Sequence, residues 1–176
     1  MREDVIAVIR EIIKMNNNQT RNIVIFATLA AMMAVTRDHH FGSALHLPDA
    51  SLAIFLLAGF YLPRWAFPAL LVEAGLVDYL AINYGGVSDW CFSPAYWFLI
   101  PAYFVLWFGG RFYAARHSHS WRGLSLFAAT ALLATSAAFV ISSGSFYLLS
   151  GRFAEMGALQ YAGGMVKYYG QYLTGA

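Results

Sequence analysis

Residues 77–103 read VDYLAINYGGVSDWCFSPAYWFLIPAY, and the reading of this stretch decides the fold. An apolar run is followed by a short polar and aromatic break, then by a second apolar run. The first run carries a carboxylate, Asp78, and the second carries Tyr96 and Pro101. The break holds Cys91, the single cysteine of the chain. If both runs cross a bilayer, a thiol, a carboxylate and a crowd of aromatic rings meet at one membrane edge. The stretch then forms the expected floor of a ligand site, with Cys91 as a metal-facing thiolate.

Composition supports the bilayer. The chain has 176 residues, 60% of them hydrophobic and 11% charged. An ordinary soluble domain is about 25% charged. A soluble core of this size has too little interior to hide so much apolar surface. The expected class is an all-α polytopic membrane protein, one domain over residues 1–176. The net charge of +2 is small, and no basic run suggests a nucleic-acid partner. One cysteine excludes an internal disulfide and a CxxC metal site. No glycine loop of the phosphate-binding kind is present, so no nucleotide is expected to bind. Charges scattered through residues 1–18 argue against a cleavable signal.

Outward from the opening stretch, residues 1–18 read as an amphipathic surface helix or a frayed tail. Val5, Ile6, Val8, Ile9, Ile12 and Ile13 lie on one side. NNNQT is expected to break that helix. Six spans are then predicted at about 22–36, 50–62, 65–83, 94–114, 122–149 and 153–174. The second is short for a bilayer. The sixth carries Glu155, Gln160, Lys167 and Gln171, and should pack against protein rather than lipid.

Lys and Arg in the short loops set the orientation. With the N-terminus inside, Arg2, Arg10, Lys14, Arg21, Arg64, Arg111, Arg116, Arg122 and Lys167 fall on the cytoplasmic side, and only Arg37 and Arg152 outside. Both termini are then cytoplasmic, and the outer loops are 37–49, 84–93 and about 147–153. The class is a multi-pass membrane protein.

Chemistry gathers at the outer side. Cys91, in DWCFSP, precedes a helix begun by Pro94. A helix N-terminus favours thiolate, a soft metal ligand. One sulfur suits a metal that brings its other ligands, as in a corrin or haem. The alternative is a small buried hydrophobe. Asp78 and Glu73 are carboxylates within a span, where an ionised group needs a partner, a cavity or water. Glu73 lies deeper and reads more simply as structural. Arg37, Asp38, His39, His40 and His46 cluster in the first outer loop. They form either a metal-binding group or a solvated loop with an Arg37–Asp38 or Arg37–Asp49 contact. Tyr79, Tyr84, Trp90, Phe92, Tyr96, Trp97, Tyr103, Tyr147 and Tyr161 bunch in the outer half, as an aromatic belt or as walls of a pocket. In the first span, Ala27, Ala30, Ala31 and Ala34 give two small-xxx-small steps, for a partner helix or for internal packing.

Four motifs carry a resemblance. TRDHHFG (36–42), LPDASLAIFLLAGFYLP (47–63), LVDYLAINYGGVSDWCFSPAY (76–96) and LIPAY (99–103) resemble the BtuM family, the cobalamin-specific S-components of energy-coupling factor (ECF) transporters. The resemblance covers most of residues 36–111. It implies a six-helix bundle with a ligand cavity near the outer face. It implies a cobalamin-binding uptake component, with Cys91 as axial ligand to cobalt, Asp78 and Tyr96 lining the corrin site, and His39 as a further candidate. Trp90, Phe92, Tyr84 and Arg152 complete the expected ligand-binding set. The alanines of the first span match the family's AxxxA contact with the transmembrane coupling subunit, which works with two ATPases in an ECF module. A thiolate on one face of the cobalt would also labilise a cyanide on the other, so a cofactor-modifying membrane enzyme stays open. An ion or proton carrier using Glu73 and Asp78 is a weaker alternative, because the inner halves of the helices are almost wholly apolar.

Overall fold

The computed structural model describes residues 2–37, 49–86 and 93–174, and for 2–15, 171 and 174 the backbone alone. Among the described residues every regular element is helical. The order is α1 (Arg2–Arg37), α2 (Ser51–Tyr61), α3 (Ala66–Asn83), a 3-10 turn (Pro94–Phe98) running straight into α4 (Leu99–Ala114), α5 (Trp121–Leu149) and α6 (Ala158–Thr174). Cys91, His39, His40, His46, Trp90 and Phe92 lie outside the described residues.

The centre is the pair α2 and α4. They run the same way, with Phe55 stacked on Tyr103 near one end and Phe60 on Tyr113 near the other. Two glycines let the backbones touch. A Cβ on Gly59 would sit 2.0 Å from the carbonyl oxygen of Trp107, and one on Gly110 would sit 2.0 Å from that of Leu56. Neither position admits a side chain while the helices keep this approach. Around this seam Met33, Ile54, Phe55, Leu62, Leu70 and Leu106 are fully buried, which joins α1 and α3 to the same core. On its other side α4 meets α5 at Gly109 and Ala134.

α1 differs from its expectation. The helix runs unbroken through NNNQT. Asn, Gln and Thr are only modestly poorer helix formers than Ala, about 0.7 kcal/mol at most, and the stretch holds no Gly or Pro. Thr20 Oγ1 also finds a local acceptor, donating to the carbonyl of Asn16 at 3.0 Å. α4 begins as a tight turn rather than an α-helix. Ser93 is extended, Pro94 follows it, and Tyr96 N donates to Ser93 O at 2.8 Å. Proline fits such a first turn because its missing N–H would have no partner there.

α6 departs most from expectation. It begins at Ala158, after a turn containing Gly151 with φ 70°, and packs against α5. Tyr161 Oη donates to Ser143 O at 3.0 Å, and Tyr169 pairs with Ser136 Oγ at 2.5 Å. Glu155, Gln160 and Lys167 are exposed rather than covered by protein. Gln160 and Lys167 fall on the open side of α6, whose main contact among the described residues is α5, and Glu155 lies in the turn before the helix.

Among the described residues two helices, α3 and α5, are long and apolar enough to cross a membrane. Both expose apolar side chains outward, Val72, Leu76 and Leu80 on α3, and Leu133, Val140 and Leu148 on α5. α2 has only 11 residues, about 16 Å at the helical rise, against a hydrocarbon layer of about 30 Å.

Candidate functional site

One end of the bundle holds a buried charge cluster. Arg37 is the last residue of α1, and its side chain is 8% exposed. Its Nε donates to Asp78 Oδ1 at 2.6 Å and its Nη2 to Asp78 Oδ2 at 2.7 Å. This is the two-pronged geometry in which a guanidinium matches a carboxylate best. Nη1 donates to Ser51 Oγ at 2.9 Å and to the Tyr103 hydroxyl at 2.7 Å. The same nitrogen lies 3.6 Å from Asp49 Oδ2. Tyr96 Oη donates to Asp78 Oδ2 at 2.7 Å.

Each partner is placed by local structure. Asp49 Oδ1 accepts from Ser51 N at 2.9 Å and from Ser51 Oγ at 2.6 Å, a short-range turn that starts α2. Thr36 Oγ1 accepts from Ala50 N at 3.3 Å and ties the end of α1 to the same turn. Tyr103 is fixed by its stack on Phe55, with ring centroids 4.3 Å apart. Tyr96 comes from the 3-10 turn. The cluster therefore joins five segments through one guanidinium, with one positive and two negative side chains.

Buried ions are expensive unless each finds charge and hydrogen bonds, and this cluster supplies both. Asp78 stays 21% exposed and Asp49 51%, so the acidic edge faces outward and the arginine faces inward.

Of the residues singled out from sequence, the structure brings Asp78 and Tyr96 into direct contact. It adds Ser51, which had not been singled out, together with Arg37 and Asp49, named only for the first loop, and Tyr103, named only among the outer aromatics. The Arg37–Asp49 contact weighed for the first loop is present as the longer of the two ion pairs. A signal for Arg37 existed: a carboxylate within a span needs a cation, and Arg37 and Arg152 were the only ones on that side. Tyr84 follows α3 and is 79% exposed. Arg152 is exposed, in a depression of about 350 Å³ with Phe153, Glu155, Met156 and Gln160. Glu73, half-buried on α3, takes no part in the Arg37 cluster.

The four alanines of α1 divide. Ala27 and Ala31 are exposed, on an outward face with Ile23, Val24, Met32 and Val35. Ala30 and Ala34 are half-buried, and Ala30 packs on the core. Among the described residues no group of three or more His, Cys, Asp or Glu side chains is arranged to hold a metal ion.

No protein-family model matches the chain, and no curated protein matches it.

Proposed function

We propose that the chain is a six-span protein of the bacterial cytoplasmic membrane that binds cobalamin for uptake. The observation that carries this reading is where the motifs go. TRDHHFG contributes Arg37, LPDAS contributes Asp49 and Ser51, VDY contributes Asp78, SPAY contributes Tyr96 and LIPAY contributes Tyr103. Every stretch that resembles the BtuM family thus sends a residue into one cluster at one end of the bundle. The resemblance itself remains a resemblance of motifs.

On this reading the cluster end faces outward and the exposed Arg21, Arg64, Arg116 and Arg122 end faces the cytoplasm. Cys91, two positions before Ser93, supplies the axial sulfur to the corrin's cobalt, and His39 and Arg152 belong to the ligand's surroundings. The outward pair Ala27 and Ala31 offers a close-packing face to the coupling subunit of an ECF module. The carrier alternative is less well supported, because both oxygens of Asp78 already accept hydrogen bonds from Arg37. The enzymatic alternative shares the site: a Cys91 thiolate bound to one face of cobalt would labilise cyanide on the other.

The test is optical. Purified protein incubated with cobalamin and passed over a sizing column should elute coloured, and Cys91→Ser should shift the absorption bands by replacing a sulfur ligand. Colourless wild-type protein sinks the cobalamin reading. Identical spectra from wild type and Cys91→Ala remove the cobalt–sulfur bond. Cysteines introduced at position 46 and at position 118, in a Cys91→Ser background, check orientation. The first should react with an impermeant reagent from outside, and the second only from inside.

A further inference from the structure

We propose that Arg37 is the positioning residue of this site, and that Asp78 acts through Arg37 rather than as a free carboxylate offered to the ligand. The inference rests on the reading of the cluster end as the ligand end. Its structural half stands without that reading.

The geometry is specific about who holds whom. Asp78 spends both oxygens on the Arg37 fork, at 2.6 and 2.7 Å, and Oδ2 also accepts from Tyr96. Tyr96 thereby ties the 3-10 turn to α3, and that turn sets where α4 begins. On its other side Arg37 reaches Ser51 and Asp49, which set where α2 begins. Tyr103 completes the cage from α4. Asp78 is therefore the link by which the end of α1 fixes the turn ahead of α4. A carboxylate held on two sides at short distance is a poor adjustable acceptor for an incoming ligand. It is a good rigid anchor, because a bidentate pair fixes angle as well as distance.

Removing Arg37 should then loosen two separated places at once, residues 49–55 and 93–99. Loss of a direct ligand contact would loosen neither. The first measurement needs no ligand: hydrogen exchange by mass spectrometry on the full chain in lipid nanodiscs. Arg37→Gln should speed exchange in both segments by about tenfold, with α5 unchanged within about twofold. Equal protection of both segments in folded Arg37→Gln overturns the proposal. If that variant does not fold, Tyr96→Phe keeps the question open to decision. It should speed exchange at 93–99 and leave 49–55 alone, and an unchanged 93–99 segment overturns the link.

The second measurement separates positioning from contact. Cobalamin affinity is measured for Arg37→Gln, Asp78→Asn and the pair together, with Tyr96→Phe replacing Arg37→Gln if needed. Each single change should weaken binding about tenfold, and the pair about tenfold rather than a hundredfold, because both remove one linkage. Additive losses mean that Asp78 meets the ligand independently, and the proposal fails. If wild-type protein binds no cobalamin, the uptake reading fails, and the exchange measurement still decides the role of Arg37.

Discussion

The chain contains two Gly-Gly pairs inside helices, Gly109–Gly110 on α4 and Gly163–Gly164 on α6. As letters the two pairs are the same, with Phe108 and Arg111 flanking the first and Ala162 and Met165 the second. In the fold they are opposites. A Cβ on Gly110 would lie 2.0 Å from a backbone oxygen of α2, and one on Gly109 would lie 3.1 Å from Ala134 Cβ of α5. A Cβ on Gly163 or Gly164 meets nothing within 4 Å among the described residues. A helical glycine costs about 1 kcal/mol relative to alanine, so each pair needs an offsetting gain. At 109–110 the gain is direct contact of three helices. At 163–164 no contact within the described chain supplies it. α2, α4 and α5 are thus specified by backbone approach, whereas α6 is held by tyrosine hydrogen bonds, two of them from its own Tyr161 and Tyr169.

The largest expected effect breaks this comparison on its tight side. Gly110→Ala drives a methyl into the Leu56 carbonyl and forces α2 and α4 apart. Overpacking commonly costs about 1–3 kcal/mol, and a clash with backbone on both sides should reach or exceed about 3 kcal/mol. The measure is the midpoint of unfolding in mixed detergent micelles, together with the yield of folded protein. A Gly110→Ala protein as stable as wild type would show that the seam is looser than a 2.0 Å approach implies.

A second substitution tests the rim of the same seam. Tyr103→Phe keeps the stack on Phe55 and deletes the oxygen that accepts from Arg37 Nη1. A buried cationic donor left without that acceptor costs about 1–3 kcal/mol. A loss near 2 kcal/mol is expected. No loss would mean that Ser51 and Asp49 satisfy Nη1 by themselves.

The outlines of these helices were legible in the sequence. Apolar runs at 50–62, 65–83 and 122–149 became helices at Ser51–Tyr61, Ala66–Asn83 and Trp121–Leu149. Hydropathy suffices because a buried or lipid-facing helix needs apolar residues along its length. The unbroken α1 was not legible: three asparagines look like a break, but their propensity penalty is small enough for a continuing helix to absorb. Of the site, Asp78 and Tyr96 could be chosen because each sits in an apolar run beside the polar break. Arg37 lies 41 positions from Asp78, and pairing over that separation leaves no local pattern. The two Gly-Gly pairs carry the same lesson, since contact between backbones has no side-chain letter to announce it.

Between the tight and open regions stands α5, which borders both. Its first turn is capped by Ser120, extended at φ −141°, whose Oγ accepts from Gly123 N at 3.1 Å. Ser120→Ala leaves that N–H without its cap and should lower stability by about 1 kcal/mol. The comparison is sharpened by hydrogen exchange of α6 in this variant. If α6 depends on α5 for its place, its protection falls with that of α5. If α6 keeps its full protection, something other than α5 secures it.

The smallest effect carries the opposite sign. Gly163→Ala adds a methyl where nothing lies within 4 Å among the described residues, and it removes the excess backbone freedom of the unfolded chain. The expected result is a gain of about 0.4–1 kcal/mol, against a loss of about 3 kcal/mol or more for the identical change at Gly110. The same micelle unfolding measurement reads both. The control is Ala162→Leu, one residue earlier on the same exposed stretch, which should be near neutral within about 0.5 kcal/mol. A loss at Gly163→Ala in the isolated chain would show that α6 packs more closely than its contacts with α5 indicate. On the proposed uptake reading, a gain in the isolated chain combined with reduced cobalamin uptake in cells would show that this face of α6 is open in the chain alone and closed by a partner at work.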